Sequence, residues 1–271
     1  MISPIIIPYE LVEKKTYLYD ANGERIGEII LPKIFSIPVR RDLIRRAFLS
    51  AFTAMIQPKG RDPLAGRRTT ARSWGVGYGV ARVPRLRTGR AMFVSFARGG
   101  HLAFAPRPDR VIHEEINKKE RIYAILSALS ATSVKDIVRK RGHLFEAELL
   151  PVIITDDVED KISKTREARE FLVKIGVWKD IERSYERIRI RAGRGKMRGR
   201  RYVEPRSVLF ILTNYNKSFA KAVRNFPGVD VATPGNLSIL HLAPGGEPGR
   251  LTVFTKTAFE EIARKYRVIT L

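Results

Sequence analysis

Apolar positions along the chain follow two periods, and the segments that follow neither are as informative as those that do. Near the start, alternation predicts two short strands at Thr16–Tyr19 and Arg25–Leu31, turned by Asn22-Gly23. A helix is predicted from Arg41 to Met55, with Ile44, Ala47, Phe48, Ala51 and Met55 on one face and Asp42 in the favourable first turn. A second is predicted from Glu114 to Ala131, where Ile122, Ile125, Leu126 and Leu129 recur at helical spacing. Ser133 opens a further helical turn that Gly142 stops.

From Pro151 onward strands and helices alternate. Val152–Thr155 reads as a strand. A helix from Glu159 to Ile175 presents Ala168, Phe171, Leu172 and Ile175 and stops at Gly176, and another covers Trp178–Ile190. Ser207–Thr213 is a buried-type strand, Lys217–Phe226 a helix, Val229–Ala232 a strand, Asn236–Leu242 a short helix and Leu251–Phe254 a strand. Thr257-x-x-Glu260 has the form of a capping box that opens a last helix carrying Phe259, Ile262, Ala263 and Tyr266, with a final strand at Val268–Leu271. This order predicts an α/β fold of Rossmann-like type: a mostly parallel sheet with helices on both faces.

Two stretches break the pattern. Gln57–Arg110 holds eight Gly and five Pro in 54 residues and shows no sustained period before Ala91. A connection of that length without structure is rare in a compact domain unless it has a function. Arg187–Arg206 is shorter, and Gly193, Gly195 and Gly199 keep any helix from continuing through it. The expected organisation is therefore an α/β body formed by residues 1–56 and 111–271, a long extended loop at 57–110, and a second inserted segment at 187–206.

Charge gives these two windows a meaning. The 271-residue chain carries 51 Lys+Arg against 28 Asp+Glu, a net +23. The first window is +10 and the second +8, so 74 residues supply +18, while the other 197 residues are close to neutral at +5. The windows also contain 19 Arg but only two Lys, whereas the remainder has 15 of each. A solvated surface has no reason to prefer Arg. A site that grips phosphate with a planar fork or stacks on a base does. Trp74, Tyr78, Phe93, Phe96 and Phe104 are interleaved with the arginines of the first window, as in segments that stack on unpaired bases, while Phe93–Phe104 equally suit a return to the core that closes the base of the loop. The cations expected to meet RNA are Lys59, Arg61, Arg67, Arg68, Arg72, Arg82, Arg85, Arg87, Arg90, Arg98 and Arg107 in the first window, with Trp74 and Tyr78 beside them. In the second they are Arg189, Arg191, Arg194, Lys196, Arg198, Arg200 and Arg201. Tyr202 could stack on a base, but an anchor for the following strand is the simpler reading. Closing a long loop adds little entropy cost, but ordering it costs about 1–2 kcal/mol per residue, which many simultaneous phosphate and stacking interactions are needed to offset.

Catalytic and cofactor chemistry fares poorly. With no Cys there is no disulfide, thiolate zinc site or Cys nucleophile. Gly75-x-Gly77-x-Gly79 lacks the flanking strand and helix of a dinucleotide site. Asp156, Asp157, Glu159 and Asp160 follow a strand end, where magnesium could sit, but Asp at a helix N-cap with acids in the first turn is the simpler reading. His113-Glu-Glu-Ile-Asn117 fails the metalloprotease pattern, and no G-x-S-x-G elbow occurs. No cofactor, metal site or small-molecule substrate is expected. The wholly apolar runs are too short to span a membrane, and the N-terminus has no signal-peptide pattern. Two other classes remain to be weighed, a nucleotide-dependent enzyme on a doubly wound sheet and a regulator that reads one short DNA or RNA sequence.

The run Asp62-Pro-Leu-Ala-Gly-Arg-Arg-Thr-Thr-Ala-Arg-Ser-Trp-Gly-Val-Gly-Tyr-Gly-Val-Ala-Arg-Val-Pro-Arg85 resembles the long internal loop of the large-subunit ribosomal protein number four family, in its archaeal–eukaryotic branch. Ala105-Pro-Arg-Pro108, Ile116-Asn-Lys-Lys-Glu-Arg121 and Ile190-Arg-Ala-Gly-Arg-Gly-Lys-Met-Arg-Gly-Arg-Arg201 extend the resemblance in order along essentially the whole chain. The chain departs from the family pattern at Arg72 and Tyr78. The resemblance implies a structural constituent of the large subunit in the cytoplasmic ribosome. Its partners would be large-subunit rRNA and neighbouring ribosomal proteins. It further implies a tip formed by Arg67, Arg68, Thr69, Thr70, Ala71, Arg72, Ser73, Trp74 and Gly75 that reaches the peptide exit tunnel. There, with the loop of a second ribosomal protein, the tip would narrow the path of the nascent peptide.

Overall fold

The computed structural model describes residues 5–7, 13–266 and 268–270. The chain divides into two compact units, Met1–Phe52 with Glu115–Leu271, and Thr53–Glu114. In chain order the first unit runs β1 (Ile5–Ile7), β2 (Lys15–Tyr19), β3 (Arg25–Ile30) and α1 (Arg41–Thr53, its last residue falling in the second unit). After the second unit come α2 (Lys118–Thr132), α3 (Lys135–Arg141), β4 (Val152–Ile154), α4 (Asp157–Lys161), α5 (Thr165–Lys174) and α6 (Trp178–Glu186). The chain ends with β5 (Arg189–Ile190), β6 (Tyr202–Val203), β7 (Leu209–Ile211), α7 (Ser218–Val223), β8 (Asp230–Ala232), α8 (Ile239–Leu242), β9 (Thr252–Thr255), α9 (Lys256–Lys265) and β10 (Val268–Thr270).

Six strands form the central sheet in the order β3-β2-β4-β9-β7-β8. β2, β4, β9, β7 and β8 run parallel, and β3 adds an antiparallel edge. The fold is thus α/β with a mostly parallel sheet. Because side chains alternate across a strand, the sheet serves two separate cores. Ile153, Leu209, Ile211 and Phe254 face α1, α2, α8 and α9. Val152, Ile154, Phe210 and Val253 face the side covered by α3 to α7. Each of these eight side chains has no exposed surface, and burying one stabilises the fold by about 1.5–3 kcal/mol. Phe35 packs against Phe254 edge-on at 6.0 Å and against Phe259 in a stack at 5.4 Å, which closes the first core.

The predicted elements recur with shifted ends, and the shifts have local causes. The helix expected over 159–175 is two. The Glu167 carboxylate accepts the N–H groups of Ser163 and Lys164, both at 3.3 Å, and starts α5 afresh. Ile162 is extended between the two helices and buried. The helix expected to reach Ile190 stops at Glu186, because Arg189 and Ile190 pair with Val203 and Tyr202. The capping box at Thr257 does not form. α9 starts at Lys256 with Thr255 at the N-cap, Glu260 pairs with Arg264, and Thr257 turns to Asp156 instead. α2 is more enclosed than its stripe implies, since Ser127 and Ser130 are buried too. They are tolerated because Ser127 accepts the Arg40 N–H at 2.6 Å and Ser130 donates to the Phe35 carbonyl at 2.9 Å. β1, which the pattern did not predict, pairs in parallel with β10, Ile5 opposite Val268.

Both edges of the parallel sheet are tied by side chains. At the carboxyl ends of β4, β9 and β7, Asp156 accepts the backbone N–H and hydroxyl of Thr257 at 2.9 and 2.6 Å. Buried Glu159 accepts the Thr213 N–H at 2.8 Å and also the Thr213 hydroxyl. At the opposite edge Arg250, fully buried, donates to the carbonyls of Ser207 at 2.9 Å, His241 at 2.9 Å and Gly228 at 3.1 Å, and to Asp230 at 2.7 Å. One guanidinium thereby joins the starts of β7, β8 and β9.

Candidate nucleic-acid interface

Thr53–Glu114, taken by itself, is held by turns and isolated bridges. At its base the Arg61 N–H donates to the Pro106 carbonyl at 3.0 Å, and the Glu114 N–H to the Thr53 hydroxyl at 3.1 Å. Further along, two glycines let the chain cross itself. Gly66 has φ +79°, and a β-carbon there would lie 2.5 Å from the Gly100 carbonyl; one on Gly100 would lie 1.8 Å from the Val94 oxygen. Only a residue without a β-carbon fits either place. Beyond the crossing, Arg72 and Arg85 exchange backbone hydrogen bonds of 3.1 and 2.9 Å. This closes off residues 73–84, in which Trp74 and Tyr78 lie 5.8 Å apart with rings tilted by 57°.

Most of the expected RNA-facing side chains are exposed on this frame: Lys59, Arg61, Arg67, Arg72, Trp74, Tyr78, Arg82, Arg87, Arg90, Arg98 and Arg107. Phe96 and Phe104 are 78% and 95% exposed, so neither returns to a core. Three loop arginines are engaged within the loop; one of them, Arg90, though exposed, donates to the Arg98 carbonyl at 3.2 Å. Arg68 is exposed but paired with Asp62 in a fork, one arm at 3.1 Å. The Leu64 N–H first, and Arg68 second, hold the Asp62 carboxyl below its ordinary range. Arg85 is half-buried, and its guanidinium donates to the Gly89 carbonyl at 2.9 Å and the Ala81 carbonyl at 3.5 Å. These bonds hold the loop rather than reach outward. Of the tip residues, Arg67, Arg68, Thr70, Arg72, Ser73, Trp74 and Gly75 are exposed, with Thr69 and Ala71 half-buried.

The second window is a hairpin. β5 and β6 are its stem, extended by the Arg191 N–H donating to the Arg201 carbonyl at 2.8 Å, and a 3-10 turn at Arg194–Met197 makes its end. Arg189, Arg191, Arg194, Lys196, Arg198, Arg200 and Arg201 are all exposed. Tyr202 does sit in the strand, but 56% exposed, with the Arg201 guanidinium 5.8 Å from its ring centre.

The electrostatics separate these segments from the body. Among the described residues, the two windows contain only two ion pairs, Arg68–Asp62 and Arg206–Asp230. Nineteen of their 21 cations thus have no carboxylate within ion-pair range. Like charges at that density repel, and a polyanion relieves the repulsion. The acidic cluster, by comparison, is fully occupied within the fold: Asp156 with Thr257, Asp157 with Lys161, Glu159 with Thr213 and Asp160 with Lys217. Asp156 does stand at the N-cap of α4, with Asp157, Glu159 and Asp160 in the first turn, but its side chain makes no bond to that helix and instead serves the first turn of α9. Among the described residues no group of three or more His, Asp or Glu is placed to hold a metal ion, and no helix is long and apolar enough to cross a membrane. One further cationic surface has no signature in the sequence, a cleft on the body that includes Lys140 and Arg141. Its residues come from separate stretches that only folding brings together.

An α/β body bearing arginine-rich segments with few internal counter-charges belongs to the class of proteins built to sit against a polyanion. The comparisons with known proteins narrow the class. The chain belongs to the Ribosomal protein L4/L1 family, whose model matches residues 29–265. It is similar to the large ribosomal subunit protein uL4 of Aeropyrum pernix, 55% identical over 257 residues, covering 94% of each chain. It is likewise similar to the uL4 proteins of Sulfurisphaera tokodaii, 51% identical over 95% of this chain and 97% of that one, and of Saccharolobus solfataricus, 51% identical over 93% and 94%.

Proposed function

We propose that this protein is a structural constituent of the large subunit of the cytoplasmic ribosome, held there by large-subunit rRNA and neighbouring ribosomal proteins. Its role is architectural rather than catalytic. The observation that carries this, beside family membership, is that among the described residues nineteen of the 21 cations at 57–110 and 187–206 have no carboxylate partner. Arginine forks that find no carboxylate in their own protein find phosphates in a folded RNA. Recognition is mainly of RNA shape, with Trp74 and Tyr78 available for stacking on unpaired bases. The body is residues 1–56 and 111–271, and the two inserted segments are its RNA-binding arms. The tip at Arg67–Gly75 lies at the peptide exit tunnel and, with the loop of a second ribosomal protein, narrows the path of the nascent chain.

Excising Gly60–Arg107 tests the first part. That segment contains ten arginines. Every phosphate that the protein no longer neutralises lowers the slope of log affinity against log salt by roughly 0.7–0.9. A fall of several units in the slope for large-subunit rRNA, with the body's melting temperature retained, is expected. An unchanged slope overturns the loop assignment. For the tunnel, the absence of cysteine makes a single Ser73→Cys uniquely addressable. A photo-crosslinker at that position in translating ribosomes is expected to capture nascent peptide, and capture of rRNA alone refutes the placement.

A further inference from the structure

The amino edge of the parallel sheet carries a cleft that neither basic window accounts for. It is about 650 Å³ in volume, and its wall includes Arg41 at the start of α1, Lys140 and Arg141 at the end of α3, Arg183 of α6, and Arg206 just before β7. Among the described residues Glu247 is the one carboxylate in the lining. His143 also lines it and is buried; burial, outweighing the attraction of Asp180, holds its pKa below the ordinary value, so it adds no charge at neutral pH.

The cations differ in how far the protein satisfies them. Arg183 donates to Asp180 at 2.9 Å, and Arg206 to Asp230 at 2.7 Å. Arg141 is half-buried and meets only neutral acceptors, the carbonyls of Pro244 at 2.7 Å and Pro248 at 3.5 Å. Among the described residues no carboxylate lies within ion-pair range of Arg141, Arg41 or Lys140. Burial, and then repulsion from Arg250, pull the Arg141 pKa down to about 10, which still leaves it charged at neutral pH. A desolvated cation normally finds a paired anion; here no described carboxylate pairs with it, and Glu247 attracts it only from beyond ion-pair range.

We propose that this cleft seats backbone phosphates of an RNA strand, with Arg41, Lys140 and Arg141 as the principal ligands and Arg206 at its rim. The inference rests on the RNA-binding role above. What points to RNA is continuity: Pro205 and Arg206 line the cleft and are the last residues of the second basic segment, two and three residues beyond the hairpin stem at β6. A strand tracked by the exposed arginines of that hairpin leads directly into the cleft. An isolated phosphate ion shares the chemistry but has no use for that continuity.

The test is the full-length double variant Arg41→Gln/Lys140→Gln. Both side chains are exposed, so the fold is expected to survive, with the melting temperature as check. Filter binding to large-subunit rRNA across a salt series should show the log–log slope reduced by roughly 0.7–1.8, as for one or two fewer neutralised phosphates. Between 50 and 200 mM salt that amounts to about a 3- to 12-fold smaller loss of affinity than in the wild type. The loop variant Arg82→Gln/Arg87→Gln serves as comparison. If it lowers the slope and the cleft variant does not, the cleft inference is overturned and the RNA-binding role stands. If the wild type itself shows no salt-dependent rRNA binding, the underlying role has failed. A second arm titrates inorganic phosphate without RNA. Thermal protection of the wild type but not the cleft variant, together with an unchanged rRNA slope, assigns the cleft to free phosphate and overturns the RNA proposal.

Discussion

Replacing Arg250 with methionine keeps a long side chain in the same space and removes every donor. Three backbone carbonyls, those of Ser207, Gly228 and His241, are then deprived of short charge-assisted hydrogen bonds at a site with no exposed surface. Asp230 gives up one of its two guanidinium partners but keeps Arg206 at 2.7 Å. Removing one member of a buried ion pair costs about 3–5 kcal/mol, because the other is left uncompensated. Since Arg206 still attends Asp230, the lower half of that range applies, about 3–4 kcal/mol, most of it from the orphaned carbonyls. In a chain of this size each kcal/mol moves the melting temperature by about 2–4 °C, so Arg250→Met should melt about 6–16 °C lower by circular dichroism. Arg250→Lys keeps the charge but has only three donors for these acceptors and should fall between the two. The salt slope of rRNA affinity should be unchanged in both, because Arg250 has no surface to offer. A shift under about 2 °C would refute the view that this guanidinium ties the three strand starts together.

Two further outcomes follow from the body. His143 and His241 are both held below their ordinary pKa, chiefly by burial, so the folded state binds fewer protons there than the unfolded chain. Their contribution is complete above the unfolded value near 6.5 and is lost as pH falls below it; melting temperatures taken from pH 7 down to 5 should decline, and less so in His143→Gln/His241→Gln. Asp156→Ala should cost about 1 kcal/mol by removing the bonds to Thr257, seen as a small drop in melting temperature, and isothermal titration with magnesium or a nucleotide should give the same trace before and after the change.

What could be read along the chain was whatever is local. The two basic windows stood out because charge, glycine content and loss of period coincide within them. The faces of α1, α5 and α9 were legible because one stripe of each is buried and the other is not, but Met55, read into the face of α1, lies past its end and is exposed. The order β3-β2-β4-β9-β7-β8 was not, since pairing of β4 with β9 joins residues about a hundred positions apart. The break at Ile162 was hidden for another reason: the Glu167 side chain that restarts the helix also suits an uninterrupted one. Asp156 stands at the N-cap of α4 as the sequence suggests, but the bond its side chain makes to α9 was hidden, because Thr257 lies about a hundred positions away. For the interface, the exposed arginines were recognisable by type and number, but not the ones the protein keeps for itself. Arg85 and Arg68 differ from their neighbours only in where the loop folds back, and Arg141 only in what α3 packs against.

The exchange of hydrogen bonds between Arg72 and Arg85 also bears on how freely the segment between them can vary. The two ends of residues 73–84 are brought together by main-chain atoms, so their meeting does not depend on which side chains lie between. The crossing at Gly66 and Gly100 lies outside that closure and is set by its own close approach. Residues can be added or removed between positions 73 and 80, short of the Ala81 carbonyl that Arg85 grips, while the stem keeps its register. The segment between the bridge and Ala81 is therefore an exchangeable cartridge on a fixed mount, and its length and composition can be altered separately from the bonds that anchor the loop.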